Sequence, residues 1–126
     1  MKTIVNTNNA PAPIGPYSQA VIAGNLVFIS GQVAISPTTG ELVLDDIKTE
    51  TKQVMENIKS ILTEAGIDFS NIVKTSIFLK DMQNFAQVNE VYGGYFTDQF
   101  PARETIQVSG LPKNVNVEIT VTAIKP

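Results

Sequence analysis

The chain contains no cysteine, no histidine and no tryptophan among its 126 residues. Without cysteine there are no disulfides and no thiol nucleophiles, and without either residue the usual zinc sites and histidine bases are excluded. Any acid–base chemistry must therefore use Asp, Glu, Lys, Tyr or a water molecule. We expect neither a metal nor a cofactor.

Charged residues are also scarce. They make up 17% of the chain, against about 25% in an average soluble domain, while apolar residues make up 43%. A small protein with so few charged residues has less charged surface in contact with water than an average domain. The composition therefore predicts that part of the surface is covered in an oligomer.

The chain has no run of basic residues. Its nine Lys and Arg residues are scattered from Lys2 to Lys125, the net charge is -3, and the sequence pI is about 4.8. Nucleic-acid-binding proteins usually carry a basic patch or stripe. We therefore predict no nucleic-acid partner.

Long hydrophobic runs are absent too. No window approaches 18 apolar residues, so no membrane span and no membrane partner are expected. The start of the chain, Met1 to Val5, lacks the apolar segment of a signal peptide, which favours a cytoplasmic protein. The length predicts a single domain over residues 1–126.

The first third of the chain has the pattern of a β-hairpin. Ser18 to Ala23 and Leu26 to Ser30 are strand-like, and Gly24-Asn25 between them is a two-residue turn signal. Leu26 to Ile29 is apolar at every position, which predicts a strand buried on both faces. A short strand near Thr3 to Val5 would precede the hairpin.

A helix is predicted next. Asp45 or Asp46 can cap it, and Gly66 is a suitable C-terminal stop. The apolar stripe at helical spacing comprises Ile47, Thr51, Val54, Ile58, Ile61, Leu62 and Ala65. Glu50 is among the charged residues that lie off this stripe.

The middle of the chain predicts a strand and a second helix. Val73 to Leu79 alternates with the period of a strand, and apolar residues recur at helical spacing from Phe85 to Phe96. Tyr92, Tyr95 and Phe96 are expected in the core. Each glycine of the pair Gly93-Gly94 destabilises a helix by about 1 kcal/mol relative to alanine. We interpret the pair as a sign that the helix closely approaches a sheet.

Two strands complete the predicted fold. Arg103 to Ser109 places Arg103, Thr105 and Gln107 on one face, and Val115 to Ala123 alternates cleanly with Glu118 among its polar positions. The order β-β-α-β-α-β-β, after a short first strand, predicts an α+β protein with both helices on one face of the sheet. We expect the polar residues of the last two strands to line the other face.

Several short motifs occur in order along almost the whole chain. They are Ile14-Gly15-Pro16-Tyr17-Ser18-Gln19-Ala20, Ser30-Gly31-Gln32, Val88-Asn89-Glu90-Val91-Tyr92, Phe100-Pro101-Ala102-Arg103, Leu111-Pro112-Lys113 and Val117-Glu118-Ile119. In this combination the chain resembles the RidA (YjgF/YER057c/UK114) family from about Thr3 to Ile124. The resemblance implies a chorismate-mutase-like (YjgF-like) fold, with a six-stranded mixed sheet, two helices on one face and a homotrimer with sites between subunits.

The resemblance also implies an activity. Members of this family are 2-iminobutanoate/2-iminopropanoate deaminases, which hydrolyse reactive 2-imino acids to 2-oxo acids and ammonia without a cofactor or metal. The ligand is then a small 2-imino or 2-oxo acid. A planar guanidinium suits the carboxylate of such a ligand, and a nearby carboxylate can take a proton from water.

Roles carry over to matching positions of this sequence. Arg103 matches the arginine that pairs with the substrate carboxylate, Glu118 the glutamate that orients the attacking water, and Tyr17 a tyrosine near the imine end of the ligand. Ser30 and Gly31 match a loop whose backbone contacts the ligand. In the family, the arginine strand of one subunit faces the tyrosine and the glutamate of its neighbour.

Two further positions belong to the implied site. Asn89 matches a polar position close to the cleft, and Thr105 matches a ligand-contacting position. Many members have Ser-Cys after the arginine, whereas this chain has Glu104-Thr105. Thr105 removes any thiol chemistry, and the strand parity of Glu104 points its charge away from Arg103.

Other interpretations remain open on the residues alone. Arg103 could be an ion-pair partner at a subunit interface, Glu118 a solvated strand residue, and Asn89 an ordinary helix-surface residue. The cleft could also sense a 2-oxo acid without turnover, as a regulatory trimer acting through a protein partner. Some relatives are described as ribonucleases or translation inhibitors, but the acidic charge and the absence of histidine weigh against that activity.

Overall fold

Six strands form one mixed β-sheet, and two α-helices pack on one of its faces. The computed structural model describes residues 1–126. The elements are β1 (Lys2–Val5), β2 (Ala20–Ala23), β3 (Leu26–Gln32), α1 (Ile47–Glu64), β4 (Ile72–Leu79), α2 (Phe85–Gly93), β5 (Ala102–Gln107) and β6 (Val117–Ile124). The α+β class and the order of elements predicted from the sequence are confirmed.

The strands follow one another across the sheet in the order β1-β2-β3-β6-β4-β5. Every neighbouring pair is antiparallel except β4 and β5, which are parallel. The parallel pair needs a crossover connection, and α2 provides it. The last strand in the chain is therefore a central strand, and β1 and β5 are the sheet edges.

Helix α1 follows the predicted pattern closely. The Asp46 side chain accepts a hydrogen bond from the backbone N–H of Thr49 at 2.7 Å, which caps the first turn. The apolar stripe faces the sheet and forms the centre of the core with residues of β3, β4 and β6. Gly66 follows the helix with φ of 82°, a left-handed conformation that glycine adopts without strain.

One charged residue of α1 departs from the pattern. Glu50 lies outside the apolar stripe, yet its side chain is fully buried. Its carboxylate accepts hydrogen bonds from the backbone N–H groups of Asn116 at 2.8 Å and Val117 at 3.2 Å, and from Asn116 Nδ2 at 2.7 Å. Because these donors satisfy the oxygens, burial of the carboxylate is tolerated.

Strand β3 is not buried on both faces, and that prediction was wrong. Val27 and Ile29 face the core, whereas the Phe28 side chain is 45% exposed on the face that no helix covers. The register against β6 shifts between Ile29 and Gln32, so that Ser30 and Gly31 together lie opposite one residue of β6. This two-against-one arrangement is a β-bulge.

Helix α2 is shorter than predicted, and its glycines do not approach the sheet. It ends at Gly93, and no atom lies within 4 Å of where a Cβ of Gly93 would be. Tyr92 is buried and donates its hydroxyl to Thr75 Oγ1 at 2.9 Å. Tyr95 and Phe96 lie beyond the helix end and are only partly buried against the core.

Neither helix is long and apolar enough to cross a membrane.

Candidate functional site

A cavity of about 350 Å³ opens where the start of β6 meets the end of β3. The loop between β1 and β2 forms one wall. The lining residues are Pro11, Ala12, Ile14, Tyr17, Gln19, Ser30, Gly31, Gln32, Val33, Ile35, Pro112 and Glu118. Four of the predicted site residues therefore meet in one cavity. The lining contains one carboxylate and no Lys or Arg.

Glu118 is the acidic group of this cavity. It lies on β6 opposite Phe78 of β4, on the sheet face that the helices leave open. Its side chain is half-buried, and burial raises the pKa of the carboxyl above its ordinary value because the charged form loses hydration. A carboxylate with a raised pKa is a stronger base once it is ionised.

The β3 bulge brings Ser30 and Gly31 to the same cavity. The Ser30 hydroxyl donates to the carbonyl of Ser18 at 2.5 Å, and its N–H donates to the carbonyl of Gln19 at 2.9 Å. Ser30 thus ties the strand to the loop that carries Tyr17.

The loop between β1 and β2, which contains Pro11, Pro13 and Pro16, is held by a glutamine that sequence reasoning missed. Gln19 is 2% exposed. Its amide nitrogen donates to the carbonyls of Thr7 at 3.0 Å and Pro11 at 2.9 Å, and its carbonyl oxygen accepts from the N–H of Thr7 at 2.7 Å. These bonds join the two ends of the loop, and Tyr17, which belongs to the same loop, has a side chain that is 48% exposed.

The remaining predicted residues form a second group against α2. Arg103, the single arginine of the chain, donates from Nη1 to Asn89 Oδ1 at 2.7 Å. Its guanidinium carbon lies 5.3 Å from the ring centre of Tyr92 and 5.7 Å from that of Phe85. Arg103 forms no salt bridge within the chain. The guanidinium is therefore held in place by a neutral amide and two rings, with donors left for an anion.

Thr105 lies two residues from Arg103 on the same face of β5. Its Oγ1 is the one buried side-chain polar atom without a hydrogen-bond partner in the chain. Glu104 points to the opposite face, where it pairs with Lys74 at 2.9 Å and accepts a hydrogen bond from Ser76. The expectation that Glu104 turns away from Arg103 is confirmed.

Arg103 and Glu118 do not share a face of the sheet, contrary to the expectation that the polar residues of β5 and β6 line one face. Arg103 is in register with Thr75, which is buried under α2. Glu118 is in register with Phe78 on the open face. The open face of β5 instead carries Ile106, which is 45% exposed. Because β5 is an edge strand, its inward face remains accessible near Arg103.

The site residues thus form two separate groups within one chain. The first group has a carboxylate and no cation, and the second has a cation and no carboxylate. No cluster of three or more Asp or Glu side chains is close enough to hold a metal ion. The residue pattern had placed Arg103 and Glu118 on one face, whereas the family resemblance implies that the arginine strand and the residues Tyr17 and Glu118 lie apart within one chain, as they do here.

Comparisons with known proteins agree with the motifs. The sequence profile described as "Endoribonuclease L-PSP" matches residues 7–125. A RutC family protein of Pyrococcus horikoshii is 54% identical over 125 residues, covering 99% of each chain. The human 2-iminobutanoate/2-iminopropanoate deaminase is 44% identical over 125 residues, covering 99% of this chain and 91% of its own.

The fold has close counterparts among solved structures. The crystal structure of Escherichia coli TdcF with bound serine superposes with a TM-score of 0.94 at 38% identity, covering 98% of this chain and 99% of that one. The profile match spans nearly the whole chain, and both sequence relatives exceed 40% identity over nearly all of it. The chain therefore belongs to the endoribonuclease L-PSP family, which is the RidA (YjgF) family that its motifs resemble.

Proposed function

We propose that this protein hydrolyses small 2-imino acids to 2-oxo acids and ammonia, at sites formed between the subunits of a homotrimer. Two relatives support the ligand class. The human relative is named 2-iminobutanoate/2-iminopropanoate deaminase, and the relative from Escherichia coli holds serine. Serine shares with a 2-imino acid a carboxylate next to a carbon that bears nitrogen.

The observation that carries this proposal is the complementarity of the two groups. The cavity around Glu118 offers a base but no cation for a substrate carboxylate. Arg103 offers a cation without a carboxylate partner. A head-to-tail interface in a ring of three joins two different surfaces of the same chain, so the proposed ring is one in which each Arg103 lies beside the next subunit's Glu118.

The open face of the sheet supports such a ring. Phe28 and Ile106 are each 45% exposed there, and Phe78 lies between their strands. Apolar side chains of this size on a sheet face are typical of a surface that another subunit covers. The low charge of the chain is consistent with the same arrangement.

Arg103 is suited to hold the substrate carboxylate. A guanidinium can donate two parallel hydrogen bonds to a carboxylate, and one N–H of Arg103 is already fixed by Asn89 at 2.7 Å. The rings of Phe85 and Tyr92 limit its movement from the side. The Thr105 hydroxyl, which has no partner in the chain, is a further donor toward the same carboxylate.

Glu118 is suited to activate water. The substrate reacts as the iminium, protonated on nitrogen: a water oxygen attacks the imine carbon, the Glu118 carboxylate accepts a proton from that water, and the carbon–nitrogen π electrons become the lone pair of a neutral amino group. Glu118 then returns this proton to the amino group of the carbinolamine. The carbon–nitrogen bond breaks to release ammonia, the carbon–oxygen double bond forms, and the hydroxyl proton passes to the Glu118 carboxylate and from there to the released ammonia. Water is the only co-reactant, and Tyr17 lies in the same cavity as Glu118 to contact the nitrogen end.

The lifetime of the imine tests this function. Threonine dehydratase generates 2-iminobutanoate, semicarbazide traps it, and the protein is added in increasing amounts. We expect the wild-type protein to reduce the trapped imine, and Arg103→Ala and Glu118→Gln to lose that effect by about 10²-fold or more. Lys52→Ala, an exposed cation of α1, is the matched control and should behave as wild type.

Unchanged trapping by a folded, trimeric wild-type protein would contradict the enzyme. In that case, binding of 2-oxobutanoate that depends on Arg103 would identify the cleft as a sensor rather than a catalyst. RNA cleavage is tested in the same preparation with a labelled single strand at low salt, and we expect none.

A further inference from the structure

Gly31 lies against the carboxylate of Glu118. A Cβ built at Gly31 would be 2.0 Å from Glu118 Oε2, 2.9 Å from its Cδ and 3.1 Å from its Cγ. Real Cβ atoms do not come within 3.0 Å of another heavy atom. The carboxylate of Glu118 therefore occupies the space that any other residue at position 31 would fill with its side chain.

No other glycine of the chain shows this contact. The closest approach to a built Cβ at any of the others is 3.4 Å, at Gly66 and Gly94. Gly31 also does not have the positive φ that favours glycine at Gly24, Gly40 and Gly66. The backbone at position 31 therefore does not require glycine for its conformation, and the remaining reason on the structure is space.

We propose that Gly31 is the positioning residue of Glu118: by having no side chain, it lets the carboxylate lie against the backbone of the β3 bulge at the wall of the cavity. This role rests on the proposed function and adds to it. The bulge matters because it places the glycine, and not Ser30 or Gln32, next to the carboxylate. A contact of the backbone of Gly31 with the ligand would be a separate role.

Displacing the carboxylate has two consequences. A general base acts only within hydrogen-bond distance of the proton it removes, so a shift of about 1 Å lowers the rate. The Glu118 carboxyl also owes its raised pKa to burial. A carboxylate pushed toward water regains hydration, and its pKa falls toward the ordinary value.

The other charged groups near Glu118 are few. Tyr17, from the loop, is the only other titratable residue that lines the cavity. The residues of β3 and β4 beside Glu118, Gly31 and Phe78, are uncharged. Lys74 and Glu104 also lie on the open face, but they pair with each other at 2.9 Å. Lys80, which directly follows β4 and pairs through its backbone with Asn116, donates its ammonium to Asn114 Oδ1. In the proposed trimer, the neighbouring subunit adds Arg103.

Gly31→Ala is the variant that tests the proposal. We expect it to fold and to assemble as wild type, because the colliding atoms are the end of a flexible side chain. We expect kcat to fall by about 10- to 100-fold, part of the roughly 10²- to 10⁴-fold that general-base assistance supplies. The acid limb of its pH–rate profile should move to lower pH. Gly93→Ala is the matched control, since a Cβ there meets nothing within 4 Å.

A double-mutant cycle separates this role from ligand contact. If Gly31 acts through Glu118, adding Gly31→Ala to Glu118→Ala should leave the residual kcat unchanged within about twofold. If Gly31 instead makes room for the ligand, the second substitution should raise KM in both backgrounds. That additive result would overturn the proposal.

A carboxyl titration keeps the test independent of catalysis. Carbon-13 NMR of labelled glutamate, with Glu118→Gln to assign the signal, reports the pKa of Glu118 directly. We expect a lower pKa in Gly31→Ala than in wild type, whether or not the protein hydrolyses imines. An unchanged pKa together with an unchanged kcat would show that Gly31 does not position Glu118.

Discussion

Thr105 has a hydroxyl with no hydrogen-bond partner inside its own chain. Leaving a buried polar atom unpaired costs about 1–3 kcal/mol. Thr105 lies two residues from Arg103 and on the same face of β5. Such a cost at this place is explained if a ligand carboxylate completes the hydrogen bond.

Thr105→Val should therefore have opposite effects on stability and on binding. Valine has nearly the same shape and removes the unpaired hydroxyl, so we expect the free energy of unfolding without ligand to rise by about 1 kcal/mol. We expect the affinity for 2-oxobutanoate to fall. Denaturant unfolding at fixed protein concentration and calorimetric titration measure the two effects, with Thr105→Ser as the control that keeps the hydroxyl.

A loss of stability in Thr105→Val with unchanged affinity would contradict this role. The hydroxyl would then be a structural feature of β5 rather than a ligand donor.

At the scale of single residues, the motifs named the candidate site residues, and the residue pattern wrongly placed Arg103 and Glu118 on one face of the sheet. The motifs led to Arg103, Glu118 and Tyr17, and the structure places Glu118 and Tyr17 in one cavity. Neither pattern nor composition could show that Arg103 lies on the opposite face of the sheet. That separation follows from strand order and register, which depend on contacts between distant parts of the chain.

Glu50 connects two elements that are far apart in the sequence. It lies in the first turn of α1, and its carboxylate binds N–H groups at the start of β6, 66 and 67 residues later. From helical periodicity, a glutamate that lies outside the apolar stripe is expected to face solvent. Its burial was not predictable, because the donors that compensate it come from a distant loop.

We predict that Glu50→Gln weakens the attachment of α1 to β6. Both backbone N–H groups donate to one oxygen of Glu50 and the Asn116 side-chain amide donates to the other, so a glutamine whose single acceptor oxygen keeps the backbone donors turns its own amide hydrogens toward Asn116 Nδ2. Hydrogen bonds to charged groups are worth about 1.5–3 kcal/mol each, and we expect a loss of that order in the free energy of unfolding. Urea denaturation measures it, and an unchanged midpoint would show that the three hydrogen bonds contribute little.

Among the elements, periodic patterns with a single interpretation were the most reliable. The stripe and caps of α1 predicted its bounds, Ile47–Glu64, almost to the residue. Leu26 to Ile29 was misleading because an all-apolar strand can also have one face on the core and the other face open, as the exposed Phe28 shows. The bulge at Ser30-Gly31 could not be predicted either, since it depends on pairing with β6.

For the molecule as a whole, the division of the site predicts complementation between variants. Arg103→Ala and Glu118→Ala each leave the opposite half of the site intact. In a mixed ring of three, one interface joins an intact Arg103 to an intact Glu118 of the next subunit. About three-quarters of the trimers assembled at random from equal amounts contain both variants, and one of the three sites in each of these is intact. An equal mixture should therefore recover about one quarter of the wild-type activity.

The measurement is imine trapping after the two inactive variants are unfolded together and refolded as a mixture. Each variant refolded alone is the control and should stay inactive. If the mixture also stays inactive while size-exclusion chromatography shows trimers, the site would not be shared between subunits in the proposed way.

The position of β6 has a consequence for the order in which the fold is completed. β6 lies between β3 and β4, so the strand made last is the strand that joins the two halves of the sheet. Until Val117–Ile124 has left the ribosome, β3 and β4 each present an unpaired edge, and Glu50 lacks its three donors. Exposed edges of this kind invite pairing with other chains. The nascent protein thus depends on its final strand for protection against aggregation as well as for its core.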